Sequence, residues 1–100
     1  MSHTPVLLKE TIEILEPKPG EFFIDGTIGS GGHAEAILKK IGPKGKLLGI
    51  DWDGEAIQRF KIKDLRFKNL ILVHGNYADL PEILEEYKLP KASGLILDLG

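Results

Sequence analysis

Residues 22–38 read FFIDGTIGSGGHAEAIL, and this stretch decides the fold of the 100-residue chain. A short apolar run, residues 22–24, ends at Asp25, and four glycines follow within seven residues before a helix-like pattern begins at His33. A backbone stripped of side chains between a strand and a helix is typical of a loop that a ligand approaches closely. The stretch therefore predicts a strand, a ligand-binding glycine loop and a helix.

The composition is that of an ordinary globular domain. Apolar residues make up 42% and charged residues 28%, so the length predicts a single domain over residues 1–100. The net charge of −2 offers no basic surplus, so an RNA partner would not be held here mainly by charge. The chain has no cysteine, and its three histidines lack ligand spacing, so no metal site is predicted. Without a bilayer-spanning apolar run or a signal-peptide pattern, we expect a cytoplasmic protein.

Apolar periodicity divides the rest of the chain into alternating elements. Helices are predicted at 8–15, 33–41, 52–60 and 80–88, and further strands at 46–51, 69–75 and 94–100. Asp79 and Glu82 have capping-box spacing, so Asp79 is predicted to start the last helix, from which Tyr87 faces inward. Buried strands that alternate with helices predict an α/β fold, in which a parallel sheet carries helices on both faces.

The predicted strands end in polar residues. Asp25, Asp51 and Asp98 close three of the four strands, and His74 with Gly75 closes the other. In parallel sheets of this kind, ligands bind beyond the carboxyl ends of the strands, where the strand order switches. Because three strands deliver a carboxylate to the same edge, this edge is the predicted ligand site.

The glycine loop matches the dinucleotide-binding pattern G-x-G-x-x-G/A. Gly29, Gly31 and Ala34 occupy the three small positions, and Asp51 follows Gly31 by 20 residues, as a ribose-binding acid does. An NAD-type dinucleotide module of an oxidoreductase is therefore one hypothesis. The structural alternative is a tight turn in which the acid only caps the following helix.

Asp25 and Trp52 favour a different nucleotide. A carboxylate directly before the loop suits a ligand with a cationic group better than it suits a pyrophosphate. S-adenosylmethionine carries an ammonium and a sulfonium group, and its adenosine ribose would be held by Asp51. Trp52, next in sequence, either lies against the adenine or is a partly buried core side chain.

Five segments together resemble one known family. In chain order they are HTPVLLKE, DGTIGSGGHAEAIL, GIDWDGEAI, HGNYADL and GLILDLG. Over essentially the whole chain they are similar to the N-terminal part of the MraW (RsmH) family of S-adenosylmethionine-dependent methyltransferases, which methylate N4 of a cytidine in small-subunit ribosomal RNA. The resemblance implies a Rossmann-like class I methyltransferase sheet, mostly parallel, with strand order 3-2-1-4.

The same resemblance implies roles for particular residues. The glycine loop with His33 would hold the cofactor, Asp51 its ribose, and Tyr77 would lie near the adenosine. Asp98 would lie beside the methyl group and act as the catalytic residue that accepts a hydrogen bond from the cytosine amine. The predicted cofactor-binding set is Asp25, Gly29, Gly31, Gly32, His33, Asp51, Trp52, Tyr77 and Asp98.

The chain stops at LDLG, soon after the predicted fourth strand begins. Members of the family continue through a serine-rich stretch that completes the active site, so we expect this chain to be inactive alone. A further hypothesis is a non-catalytic scaffold. The fourth strand would then be an uncovered apolar edge that pairs with another chain, giving a homo-oligomer or a swapped dimer.

Overall fold

The computed structural model describes residues 15–26, 28, 33–63 and 68–96. The elements in chain order are β1 (Phe22–Asp25), α1 (His33–Ile41), β2 (Lys46–Asp51), α2 (Gly54–Lys63), β3 (Leu70–His74), a 3-10 turn (Tyr77–Asp79), α3 (Leu80–Glu86) and β4 (Gly94–Ile96). The predicted alternation of strands and helices is confirmed. The predicted first helix, at 8–15, lies outside the described residues except for its last one.

The four described strands form one parallel sheet in the order β3-β2-β1-β4. The chain steps from β1 to β2 to β3 in one direction and then crosses back, which places β4 on the other side of β1. The strand order therefore switches between β1 and β4, and the carboxyl ends of all four strands lie at one edge. This is the order that the family resemblance implied, and it puts the ligand edge where parallel sheets bind their ligands.

Side chains of β1 and β2 alternate between two cores because successive residues of a strand point to opposite faces. Phe23 and Leu47 pack with α1 and α2, whereas Phe22 and Leu48 pack with α3 on the other face. The apolar residues along one side of α1 are all buried: Ala34, Ile37, Leu38 and Ile41. Burial on both faces explains why the strands appear in the sequence as continuous apolar runs.

Two details of the last helix differ from the prediction. Asp79 precedes α3 as expected, but its side chain makes no capping hydrogen bond. Asn76 provides a cap one short turn earlier, where its side-chain oxygen accepts a hydrogen bond from the Ala78 amide at 2.8 Å. The 3-10 turn that Asn76 begins includes Asp79 as its last residue and leads directly into α3. Tyr87, the residue that follows α3, is exposed rather than inward.

The described elements are all short. The longest helix, α2, has ten residues, so no helix in the described ranges approaches the roughly 20 residues that crossing a bilayer requires. β4 has three described residues, Gly94–Ile96. The remainder of the predicted strand at 94–100, including Asp98, lies outside the described residues.

Candidate ligand site at the carboxyl edge of the sheet

Two buried carboxylates end neighbouring strands. Asp25 lies opposite Gly49 in the register of β1 and β2, so it is two residues short of the level of Asp51. Asp25 is 2% exposed and Asp51 is 8% exposed, and in the described part of the chain they are the two charged residues that are buried. A buried carboxylate costs free energy unless it is hydrogen-bonded, so two at one edge need a local reason. Ligand binding is one such reason, and the ordering of nearby loops is another.

Asp51 orders the turn that leads from β2 into α2. Its Oδ1 accepts a hydrogen bond from the Asp53 amide at 2.9 Å. Asp53 then caps α2, since its own Oδ1 accepts from the Glu55 amide at 3.0 Å and its carbonyl accepts from the Ala56 amide. The helix cap is therefore Asp53, and Asp51 acts one step earlier by shaping the turn.

Two aromatic side chains lie exposed beyond adjacent strands. Trp52 follows β2 directly and is 76% exposed, which rules out the partly buried core position that the sequence left open. Tyr77 follows β3 and is 38% exposed. Because the carboxyl ends of β2 and β3 are paired side by side, both aromatic residues belong to the same edge as Asp51. An exposed indole offers a flat apolar face on which a base can stack.

His74 connects the end of β3 to the turn after β2. Its Nε2 lies 2.9 Å from the carbonyl oxygen of Trp52. One residue earlier along β2, the Asp51 carbonyl accepts a hydrogen bond from the Gly75 amide at 3.0 Å. The sequence predicted only that His74 closes a strand, because nothing in its neighbourhood along the chain points to a partner 22 residues away.

The connection after β1 is anchored on β2. Ile28 is fully buried, and a Cβ on Gly49 would lie 3.1 Å from its Cγ1, so Gly49 leaves the space that Ile28 fills. The Gly26 amide donates to the Ile96 carbonyl at 2.9 Å, which keeps β1 and β4 paired at this edge. His33 is the first residue of α1, as predicted. The other predicted site residues, Gly29, Gly31, Gly32 and Asp98, lie outside the described residues.

The described residues hold no obvious metal centre. Within residues 15–26, 28, 33–63 and 68–96, no three His, Cys, Asp or Glu side chains lie close enough together to hold a metal ion. The described edge offers carboxylates, aromatic rings and backbone amides. These groups recognise a nucleoside through its ribose hydroxyls and its base.

Solved structures with the same fold define its class. The structure of TrmN from Thermus thermophilus superposes with a TM-score of 0.79 over 97% of this chain and 28% of that chain, at 20% identity. Fibrillarin from Aeropyrum pernix, solved with natively bound S-adenosyl-L-methionine, superposes with a TM-score of 0.73 over 92% of this chain and 42% of that chain, at 22% identity. At this level of identity the likeness concerns the fold alone. The chain shares the Rossmann-like fold of these structures, and this fold with the strand order β3-β2-β1-β4 confirms the predicted fold class.

The sequence comparisons show the family. The sequence model of the MraW methylase family matches residues 1–100. The protein named ribosomal RNA small subunit methyltransferase H from Clostridium botulinum (strain Okra / Type B1) is 47% identical over 98 residues, which are 98% of this chain and 32% of that protein. This chain belongs to the MraW methylase family, as predicted, and it spans about a third of the length of the curated relatives it matches.

Proposed function

We propose that this chain is the S-adenosylmethionine-binding part of a cytoplasmic methyltransferase that acts on N4 of a cytidine in small-subunit ribosomal RNA. One observation carries the proposal. A buried acid, Asp51, and an exposed indole, Trp52, lie next to each other in sequence at the carboxyl edge of the sheet. Family membership supports the reaction class. The name of the Clostridium botulinum relative supports the class of substrate.

Asp51 binds the ribose of the cofactor. A carboxylate accepts several hydrogen bonds, so Asp51 holds ribose hydroxyls alongside its protein partners. Its hydrogen bond from the Asp53 amide at 2.9 Å orients the carboxylate before a ligand arrives. A group that is already ordered loses less freedom on binding, and this favours affinity.

Trp52 and Tyr77 enclose the adenine. Both aromatic residues are exposed at the edge where Asp51 ends β2, so a nucleoside whose ribose is held by Asp51 brings its base among them. Stacking of a base on an aromatic ring contributes on the order of 1 kcal/mol.

The methionine end of the cofactor lies at the connection between β1 and α1. The bare backbone of Gly29, Gly31 and Gly32 allows close approach. The His33 amide, at the start of α1, donates to the carboxylate of the methionine with help from the positive end of the helix. Asp25, buried at the end of β1, balances the positive charge of the ammonium group.

The reaction is an in-line displacement for which the chain supplies mainly alignment. Bound S-adenosylmethionine supplies an electrophilic methyl group. The cytosine amine is a weak nucleophile because its lone pair is delocalised into the ring. Asp98 accepts a hydrogen bond from that amine, localises the lone pair and takes the released proton. Because the chain spans about a third of its relatives, we expect it to bind the cofactor without turnover.

The proposal is tested by measuring the thermal midpoint of the chain with S-adenosylmethionine, S-adenosylhomocysteine and NAD. The first two should stabilise it, by about 2.7 kcal/mol when the ligand is about 100-fold above Kd. Asp51→Asn keeps an acceptor for the Asp53 amide but loses the charge. It should therefore preserve the midpoint without ligand and weaken S-adenosylhomocysteine binding by about 2 kcal/mol, or roughly 30-fold.

Three outcomes count against the proposal. Stronger stabilisation by NAD than by S-adenosylmethionine would favour the dinucleotide module of an oxidoreductase. If none of the three ligands stabilises the chain, the carboxyl edge does not bind the proposed cofactor. Equal affinities of the Asp51→Asn variant and the unmodified chain for S-adenosylhomocysteine would show that Asp51, at the end of β2, does not bind the ribose.

Self-association is a second role, favoured by the edge strand β4. β4 pairs on one side with β1 in the described sheet, and Leu95 is 46% exposed on it. An apolar edge strand is a template for pairing with another chain, and here the partner is a second copy. Light scattering should give a dimer, and Leu95→Lys should shift it toward the monomer. A monomer for the unmodified chain would remove this role.

A further inference from the structure

The turn that carries Trp52 is held by a side chain from the neighbouring strand. His74 is the last residue of β3 and lies opposite Asp51 in the register of β2 and β3. Its Nε2 lies 2.9 Å from the Trp52 carbonyl oxygen. Because a carbonyl oxygen only accepts hydrogen bonds, Nε2 is the nitrogen that carries the hydrogen in this contact.

The imidazole extends the pairing of β2 and β3 by one residue. The Asp51 carbonyl accepts a hydrogen bond from the Gly75 amide at 3.0 Å, which is backbone pairing at the end of the sheet. The next carbonyl along the chain, that of Trp52, is met by the His74 side chain instead. The backbone of Trp52 is thus held where strand pairing has ended.

Gly54 leaves the space in which the imidazole lies. A Cβ at position 54 would be 3.2 Å from Cε1 of His74, 3.4 Å from Nδ1 and 3.5 Å from Nε2. These distances are at or below ordinary contact, so any side chain at this position would press on the ring. The first residue of α2 and the last residue of β3 are therefore matched in shape.

We propose that His74 is a positioning residue that fixes the backbone of Trp52, so that the exposed indole is ordered before adenine arrives. The ligand part of this inference rests on the proposed function, whereas the fixing of Trp52 concerns this chain alone. An exposed ring on an unrestrained turn loses conformational freedom when it stacks, and a restrained one loses less. His74 therefore acts mainly on the adenine portion of the ligand.

The test uses the single tryptophan of the chain, whose fluorescence reports on Trp52 alone. His74→Gln keeps an N–H donor at about the reach of Nε2, whereas His74→Asn carries the same amide one methylene shorter. We expect Trp52 fluorescence anisotropy without ligand to fall in His74→Asn and to be largely restored in His74→Gln. Gly54→Ala displaces the ring without removing it and should act in the same direction as His74→Asn.

Calorimetry with two ligands tests the effect on adenine. S-adenosylhomocysteine carries the base, and S-ribosylhomocysteine is the same molecule without it. His74→Asn should weaken binding of the first by about fivefold and leave the second within about twofold. His74→Gln should recover most of the loss. General damage to the fold would weaken both ligands alike.

The inference is overturned if Trp52 anisotropy is the same in His74→Asn as in the unmodified chain. It is overturned equally if both ligands lose affinity together. If the unmodified chain binds neither ligand, the proposed function and the adenine effect both fail. The anisotropy then still decides whether His74 holds the turn.

Discussion

The two ends of β3 each hold a turn of the neighbouring strand, but the two turns differ in character. Before β3, the Asn69 side-chain amide donates to the carbonyls of Gly42 and Gly45 at 3.0 and 2.8 Å. At the other end of β3, His74 meets the carbonyl of Trp52. At both the amino edge and the carboxyl edge of the sheet, a polar side chain therefore makes a hydrogen bond to a backbone carbonyl of the adjacent turn.

The turn at the amino edge is closely packed at Gly45. A Cβ on Gly45 would lie 2.6 Å from the Ile41 Cβ and 2.8 Å from the Glu21 carbonyl oxygen, and Gly42 has a φ of +68°. The turn at the carboxyl edge instead presents Trp52 to solvent. From this difference we infer that the amino edge contributes to stability and that the carboxyl edge contributes to binding. Substitutions at the two edges separate the free energy of unfolding from the affinity for the ligand.

The largest effect is expected for Gly45→Ala. The new methyl group meets the Glu21 backbone, which cannot turn aside as a side chain does, so the free energy of unfolding should fall by about 3 kcal/mol. Urea unfolding measures this loss. Lys44→Ala, an exposed change in the same turn, is the control and should stay within about 0.5 kcal/mol. A loss below about 1 kcal/mol for Gly45→Ala would show that the amino edge is loosely packed.

Asn69→Ala should have the next largest effect. It removes the donor to two carbonyls, so the free energy of unfolding should fall by about 1–2 kcal/mol. Asn69→Asp preserves the shape but replaces the amide with an acceptor, and it should be at least as destabilising. Affinity for S-adenosylhomocysteine, measured by calorimetry on the folded protein, should not change. A fall in affinity would mean that the two edges are coupled.

The smallest effect is expected for Trp52→Ala, and it should appear in binding. Because the indole is 76% exposed, the free energy of unfolding should change by no more than about 0.5 kcal/mol. Affinity for S-adenosylhomocysteine should fall by about 1 kcal/mol, or roughly fivefold, and Trp52→Phe should recover part of it. If Trp52→Ala lowered the free energy of unfolding but left the affinity for S-adenosylhomocysteine unchanged, the carboxyl edge would contribute to stability rather than to binding.

The order of elements could be predicted because buried strands appear as unbroken apolar runs between glycines and prolines. The runs at 22–24 and 46–51 each end at an acid, so the position of Asp25 and Asp51 at one edge followed from the parallel sheet. The resemblance to a known family added the strand order. These features depend on local pattern and on general rules of connection, which the sequence displays directly.

Other features could not be predicted because they depend on register and on local competition. The contact of His74 with Trp52 joins residues 22 apart and exists only because Asp51 pairs with His74. The spacing to Glu82 correctly placed Asp79 at the start of α3, but it could not show that Asn76 begins a 3-10 turn before it and that the Asp79 side chain makes no capping hydrogen bond. Tryptophan is both apolar and polar-tipped, so its exposure could not be inferred from its type.

The most direct test of the central claim is a map of the NMR chemical shifts of the backbone amides and of the Trp52 indole N–H during titration with S-adenosylhomocysteine. We predict shifts concentrated at the carboxyl edge, at the Trp52 indole, at residues 51–54 and at 74–77. The turn at 42–45 and Asn69 should be unchanged. Shifts concentrated at the amino edge, or no shifts at saturating ligand, would contradict the claim that the carboxyl edge of this sheet binds the cofactor.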